Sequence, residues 1–237
     1  MRDTYLINIF PDQLRKAIAI CKKDIRIYYF KGPVIIFGLL LPLFLYLAYA
    51  VGRSMSLEEA VSSVLSMTVF FTSTAVGPVI APWETRSRTF ERLISSPVNI
   101  AIILFGDALA SIIFTMLITS SVVVFSLLMG VYVTSVPLFT LNLFLSAICF
   151  SFFGLLLSSP PEDTPANIMM LSSLLKFPMI FVSGIFLPIN KMPTPLKIIA
   201  LISPLTYTTD IFRKTIYNKN ILPTQLAITI LTIYAII

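Results

Sequence analysis

The chain has 237 residues, of which 57% are hydrophobic and only 12% are charged, and its mean hydropathy is +0.93. This composition excludes an ordinary soluble domain and predicts an integral membrane protein. The net charge of +6 would also suit nucleic acid, but seven of the seventeen Lys and Arg residues precede the first apolar run, so anionic lipid headgroups are the predicted partner.

No catalytic, metal or cofactor site is predicted. The chain has no histidine, the commonest general base and metal ligand. No zinc-protease motif, Cys/His cluster or Ser/His/Asp set can be assembled. None of the eight glycines is followed by lysine, so the phosphate-binding GxxxxGK[ST] loop is missing. We therefore predict that the protein is not an enzyme, and any ATP-driven work would need another chain.

Residues 11–31 have the pattern of a basic amphipathic helix that lies in the membrane surface. Pro11-Asp12 suits a helix start, because an aspartate side chain can accept hydrogen bonds from the first turn. A soluble helix packed on a partner is the alternative. The basic residues lie largely off an apolar stripe formed by Leu14, Ile18, Cys21, Ile25 and Tyr28.

Apolar runs of about 20 residues match a hydrocarbon core of roughly 30 Å. They predict an all-α integral membrane protein, with residues 1–237 as a single domain of six transmembrane helices. Pro42 should kink the first span, while Gly77-Pro78 and Pro82 should bend or end the second. The spans are predicted at about 33–51, 60–82, 100–129, 137–158, 166–186 and 222–237.

Residues 83–99, WETRSRTFERLISSPVN, form a dense cluster of mixed charge between two apolar runs, and they should lie outside the bilayer. Glu84 and Arg88 are four residues apart and Arg88 and Glu91 three, so both pairs can form along one side of a helix. Pro97 should stop that helix. Its apolar side would consist of Phe90, Leu93 and Ile94. Spacing alone leaves a solvated loop as an equal alternative.

Two ionisable residues fall inside predicted spans, where a charge is costly unless it faces protein, water or headgroups. Asp107 lies about two turns into the third span, and Lys176 lies in the middle of the fifth. Lys176 could contact an anionic substrate or form an ion pair with Asp107.

Six spans place both termini on one side of the membrane. With a cytoplasmic N-terminus, the inner segments 1–32, 83–99 and 158–165 carry ten Lys and Arg against six in the outer segments. Residues 83–99 are therefore predicted to be cytoplasmic. The external residues 187–220 have apolar patches too short to span, and they predict two short helices at or dipping into the surface.

Three short motifs stand in order among these spans: ERLISSPVN at 91–99, SGIFLPINKMP at 183–193 and SPLTYTTDIFR at 203–213. With the basic interfacial helix, they make nearly the whole chain resemble the membrane subunit of type-2 ATP-binding-cassette exporters. These are the permeases of drug, polysaccharide and lipid export systems. Two departures are Asp107, where a basic or neutral residue is commoner, and the lack of a short basic C-terminal tail.

The resemblance implies that residues 84–97 couple the permease to an ATP-binding cassette ATPase subunit. It also implies that residues 187–220 are extracellular re-entrant helices that close the pathway, although SGIFLP would equally suit a generic helix end. The implied coupling residues are Glu84, Arg88, Phe90, Glu91, Arg92, Leu93 and Pro97. The implied gating residues are Gly184, Pro188, Pro204 and Tyr207.

The resulting expectation is a multi-pass exporter permease of the cell membrane with both termini cytoplasmic. It would form a homodimer or a heterodimer with a similar permease, work by alternating access, and bind no nucleic acid. One alternative is an ATP-independent secondary transporter or channel that uses Lys176 and Asp107 as coupling charges. Another is a membrane anchor or assembly factor without a pathway.

Overall fold

The computed structural model describes residues 2–50, 56–160 and 164–236, and within these ranges it has helices and no strand. This confirms the all-α class. Within the same ranges, four helices are long and apolar enough to cross a membrane. They are Leu57–Arg86, Ile100–Leu128, Val136–Leu156 and Pro165–Val182.

The N-terminal helix is longer than predicted. Helix α1 covers Arg2–Asp24 and continues as a π-helical segment, Ile25–Tyr29. The predicted start at Pro11-Asp12 is wrong, because the helix runs through both residues.

The predicted apolar stripe of α1 divides between two surroundings. Leu14 and Ile18 are 43% and 53% exposed, so this part of the stripe remains free to face lipid. The rest of the stripe and the side of the helix next to it pack closely on the third predicted span, where a Cβ on Gly106 would lie 2.8 Å from the Ile20 side chain. The buried residues of α1 and its π-helical extension include Ala17, Ile20, Cys21 and Tyr28.

The first predicted span comprises α2 (Gly32–Ile35), a π-helical turn (Ile36–Leu40) and α3 (Leu41–Ala50). Its predicted last residue, Val51, lies outside the described residues. The irregular turn comes just before Pro42, as the predicted kink requires.

Proline 42 has no N–H to donate to the Gly38 carbonyl, and the Thr72 hydroxyl of the second span donates to that carbonyl instead, at 3.4 Å. A Cβ on Gly38 would lie 2.9 Å from Thr72 Oγ1, so glycine permits this approach.

The second span consists of α4 (Leu57–Ser73) and α5 (Gly77–Arg86), separated by residues 74–76. Ser56 caps α4 by accepting a hydrogen bond from the Glu59 N–H at 3.2 Å. The break immediately before Gly77-Pro78 confirms the predicted bend. Pro82 does not end the span, which continues to Arg86.

The next helices lie close to their predicted bounds. Helix α7 covers Ile100–Leu128, α8 covers Val136–Leu156 and α9 covers Pro165–Val182, with the short α6 (Phe90–Ile94) before α7. Gly130 occupies the predicted turn with φ +83°, a conformation that glycine adopts without strain. Helix α9 ends four residues early, because the chain turns at residues 183–184.

The predicted pair of short helices between the last two spans is present as α10 (Thr194–Ile202) and α11 (Pro204–Tyr217). Helix α10 is largely exposed, whereas α11 is buried against α4, α8 and the C-terminal helix α12 (Thr224–Ile236). Helix α12 has 13 residues, fewer than the about 20 that cross a bilayer untilted. A 3₁₀ turn, Ile189–Lys191, precedes α10.

Helix α4 lies at the centre of the bundle, against α7, α8 and α11. A buried hydroxyl network joins three of these helices: Ser73 Oγ lies 3.0 Å from Thr115 Oγ1, Ser111 donates to the Ser73 carbonyl, and Ser151 donates to Ser111. Such bonds satisfy polar groups where water is absent. Helices α3 and α9 stand at the edge of the bundle, and only five of the 18 residues of α9 are buried.

Candidate functional site

The predicted coupling helix is two helices. Helix α5 ends at Arg86, α6 begins at Phe90, and the chain turns between them. Arg88 lies in this turn with φ +52°, a left-handed conformation that interrupts any helix. The prediction of one continuous helix through this segment is therefore wrong.

The predicted ion pairs within the segment do not form. Glu84 is only 3% exposed and lies on α5, where its carboxylate pairs with Lys23 of α1 and is 3.5 Å from the Tyr28 hydroxyl. Among the described residues, neither Arg88 nor Glu91 forms an ion pair. The turn at Arg88 removes the helical spacing on which the prediction rested.

The surroundings of Lys23 raise its pKa. Burial alone would lower the pKa of this ammonium, but its hydrogen bond to Glu84 and the charge of Asp24 outweigh that effect. Burial and the nearby Glu84 carboxylate raise the pKa of the Tyr28 hydroxyl to about 12. Lys23 thus remains charged and Tyr28 neutral near pH 7.

The other end of the segment is also held by α1, since the Lys16 ammonium donates to the Pro97 carbonyl at 3.2 Å. Sequence reasoning missed this role, because α1 lies about 60 to 80 residues away in the chain. Lys23 and Lys16 therefore hold residues 84–97, the clamped segment, at both ends.

The outward edge of the clamped segment is charged: Arg86, Arg88, Glu91 and Arg92 are exposed. The predicted apolar side of the helix is only partly exposed. Phe90 and Leu93 are half-buried, and Phe90 and Ile94 line a cavity of about 50 Å³ against α7 and α8.

Asp107 and Lys176 do not meet. Asp107 is buried on α7 beside the fully buried Asp24, whose Oδ1 is 3.0 Å from Lys23 Nζ. Protein, water and headgroups are the three surroundings expected for Asp107. In the structure its side chain faces protein. Lys176 is on α9 and takes part in no described ion pair.

The break in the second span provides a partner for Lys176. Pro78 has no N–H to donate to the Thr74 carbonyl four residues earlier. The Lys176 ammonium donates to that carbonyl at 2.5 Å and is itself only 8% exposed. The described contact satisfies the freed carbonyl but leaves the charge of Lys176 without an opposite charge.

Lys176 lines a cavity of about 510 Å³ between α2–α3, α4–α5 and α9. Lys31 and Trp83 also border it, and the Lys31 Nζ is 5.8 Å from the Trp83 ring centre. The rest of the lining is mainly apolar, and its aromatic and sulfur-containing members are Phe71, Met169, Met170 and Phe177.

The predicted gating motif begins with a turn at Gly184, which has φ +85°. Arg213 of α11 donates to the Gly184 carbonyl at 2.6 Å and to the Ile185 carbonyl at 3.5 Å. Pro188 follows and precedes the 3₁₀ turn. Arg213 belongs to the SPLTYTTDIFR motif, but no local signal in the sequence predicts its contact with the turn at Gly184.

Pro204 and Tyr207 lie in the first turn of α11. The Tyr207 hydroxyl donates to the Leu201 carbonyl and the Thr206 hydroxyl to the Ala200 carbonyl, both at 2.6 Å. The last carbonyls of α10 have no N–H partner within that helix, and these two hydroxyl groups bond to them instead. The motif thus fixes the sharp connection between α10 and α11.

The bundle of apolar helices, broken at midspan and carrying an exposed charged connection, defines a multi-pass membrane protein. The chain belongs to the ABC-2 type transporter family, whose model matches residues 16–217. The match includes the clamped segment, the large cavity and the gating motifs. A search of curated proteins found no significant match.

Proposed function

We propose that the chain is the permease subunit of an ATP-binding-cassette exporter of the cell membrane and that a separate ATPase subunit drives it. The observation that carries this proposal is the exposed charged edge around α6, which is bonded to α1 through Lys23 and Lys16. A surface of mixed charge can dock on a soluble partner whose charges are complementary. The family match supports the same assignment.

Two copies, identical or similar, would place the pathway at or near their interface. The charged segment and both termini would face the cytoplasm, where ATP is available. Nucleotide-driven closure of the ATPase pair would move α5 and α6, and alternating access would follow from rearrangement of the spans.

The ATP-independent alternative is less well supported. Coupling by Asp107 and Lys176 would be simplest if the two groups interacted, but Asp107 adjoins Asp24 while Lys176 bonds to the Thr74 carbonyl. An anchor without a pathway gives no reason for a large cavity with a buried ammonium.

Co-purification with candidate ATPase subunits that carry the GxxxxGK[ST] loop tests the proposal. We expect the wild type to bind one such subunit and stimulate its ATP hydrolysis. Glu91→Ala/Arg92→Ala should reduce association at least tenfold, because both side chains are exposed and make no described contact that folding needs.

The matched control is Glu58→Ala/Lys191→Ala, which removes exposed charges elsewhere and should leave association unchanged. The proposal fails if no ATPase subunit binds the wild type. It also fails in its choice of surface if both double variants bind equally well.

A further inference from the structure

We propose that the 510 Å³ cavity binds an anionic amphiphile, a molecule with a hydrocarbon body and one acidic head group, as the transported substrate. This inference rests on the proposed permease function and names the substrate class. The cavity volume falls within the roughly 300–1,000 Å³ that is typical of small-molecule binding sites.

The side chains that line the cavity indicate a ligand that is mainly hydrocarbon. Most of the lining comes from apolar side chains, including Phe71 and Phe177, and Met169 and Met170 can adapt to a flexible chain. A strongly polar solute such as a sugar would lose its hydration here without gaining enough hydrogen bonds. A hydrocarbon chain loses nothing comparable.

The head group is indicated by charge. The described lining contains two lysines, Lys31 and Lys176, and no carboxylate. Lys176 is nearly fully buried, and its described partner is the neutral Thr74 carbonyl. A buried ammonium without a counter-charge is costly. An acidic head group would supply that charge, whereas a cationic ligand would increase the cost.

The position of the cavity suits a ligand that arrives from the bilayer. Helices α3 and α9 border it and stand at the edge of the bundle, outside the tightly packed α4, α7 and α8. An amphiphile dissolved in the membrane therefore reaches this space without crossing the central hydroxyl network.

Trp83 is the only tryptophan in the chain and lines the cavity, so its fluorescence reports occupancy. Purified permease in phosphatidylcholine nanodiscs is titrated with dibromostearate, whose bromine atoms quench tryptophan on contact. The methyl ester of the same acid is the neutral control probe. We expect saturable quenching by the acid and only gradual, non-saturable quenching by the ester.

Lys176→Met should weaken binding of the acid at least tenfold, and Lys31→Met should weaken it several-fold. Lys197→Met removes an exposed lysine on α10 away from the cavity and should have no effect. If Lys176→Met does not fold, Lys31→Met still decides. Equal affinity for acid and ester, or unchanged affinity in the lysine variants, overturns the proposal.

The titration uses the permease alone, which separates the two proposals. Saturable acid binding without any ATPase association would overturn the exporter function and keep the site. ATPase association without saturable binding would overturn this substrate class and keep the exporter function.

Discussion

At the scale of single residues, the basic side chains of α1 do more than face the membrane surface. Lys23 and Lys16 hold the two ends of the charged segment through Glu84 and the Pro97 carbonyl. From composition alone, every lysine of α1 would be predicted to contact lipid headgroups. The structure separates those that bind protein from those, such as Lys22, that remain exposed.

Glu84→Gln should destabilise the protein, because it removes the charge from a largely buried pair. A hydrogen bond to a charged group contributes about 1.5–3 kcal/mol. At roughly 2–4 °C per kcal/mol for a chain of this size, the midpoint of thermal unfolding in detergent should fall by about 3–12 °C.

The matched control is Glu91→Gln, which changes an exposed carboxylate and should stay within about 0.5 kcal/mol of the wild type. The raised pKa of Lys23 makes the pair insensitive to pH near neutrality. Its contribution is lost only as pH rises beyond the ordinary lysine value of 10.5, so the Glu84→Gln effect should be equal at pH 6 and pH 7. Equal unfolding midpoints for Glu84→Gln and the wild type would contradict the assignment.

At the scale of elements, prolines in the spans leave backbone carbonyls without a helical partner, and side chains from neighbouring helices donate hydrogen bonds to them. Thr72 donates to the carbonyl that Pro42 leaves free, and Lys176 donates to the one that Pro78 leaves free. In a bilayer no water is present to do this, so each broken helix depends on the helix beside it.

The turn that ends α9 gives a test at this scale. Gly184→Ala should cost about 1–2 kcal/mol, because a residue with a Cβ resists φ +85° and the new atom would lie 3.3 Å from Ile189 Cγ1. Gly32→Ala is the control, since its Cβ would meet nothing within 4 Å. Thermal unfolding of the two variants measures the difference, and equal midpoints would exclude strain at Gly184.

The helices were predictable because their signals are local. Apolar run length located the long helices, and Gly77-Pro78 located the break in the second. Two local predictions failed, the helix start at Pro11-Asp12 and the continuous helix through Arg88, and contacts between residues far apart in sequence, such as Lys23 with Glu84 and Asp107 with Asp24, were not predicted at all. Helical spacing proposes nearest neighbours within one helix, and it cannot reveal a partner that only packing brings into contact.

At the scale of the whole molecule, the proposed topology has residues 83–99 in the cytoplasm and residues 187–220 outside the cell. The Arg88→Cys variant should react with an impermeant maleimide only after the cells are permeabilised, while the Lys219→Cys variant should react in intact cells. Both positions are exposed, and the native Cys21 and Cys149 are buried, so background labelling should be low. The opposite pattern would invert the proposed topology.

The clamp on the charged segment has a mechanical consequence. A force applied at α6 passes into α5 through a turn of three residues, and into α1 through Lys23 and Lys16. Helix α1 is seated on α7 at Gly106, so these helices share the load. Helix α9 packs on α5, its Lys176 bonds to the Thr74 carbonyl, and the large cavity lies between α5, α3 and α9. We therefore expect a displacement of α6 to change the volume of that cavity.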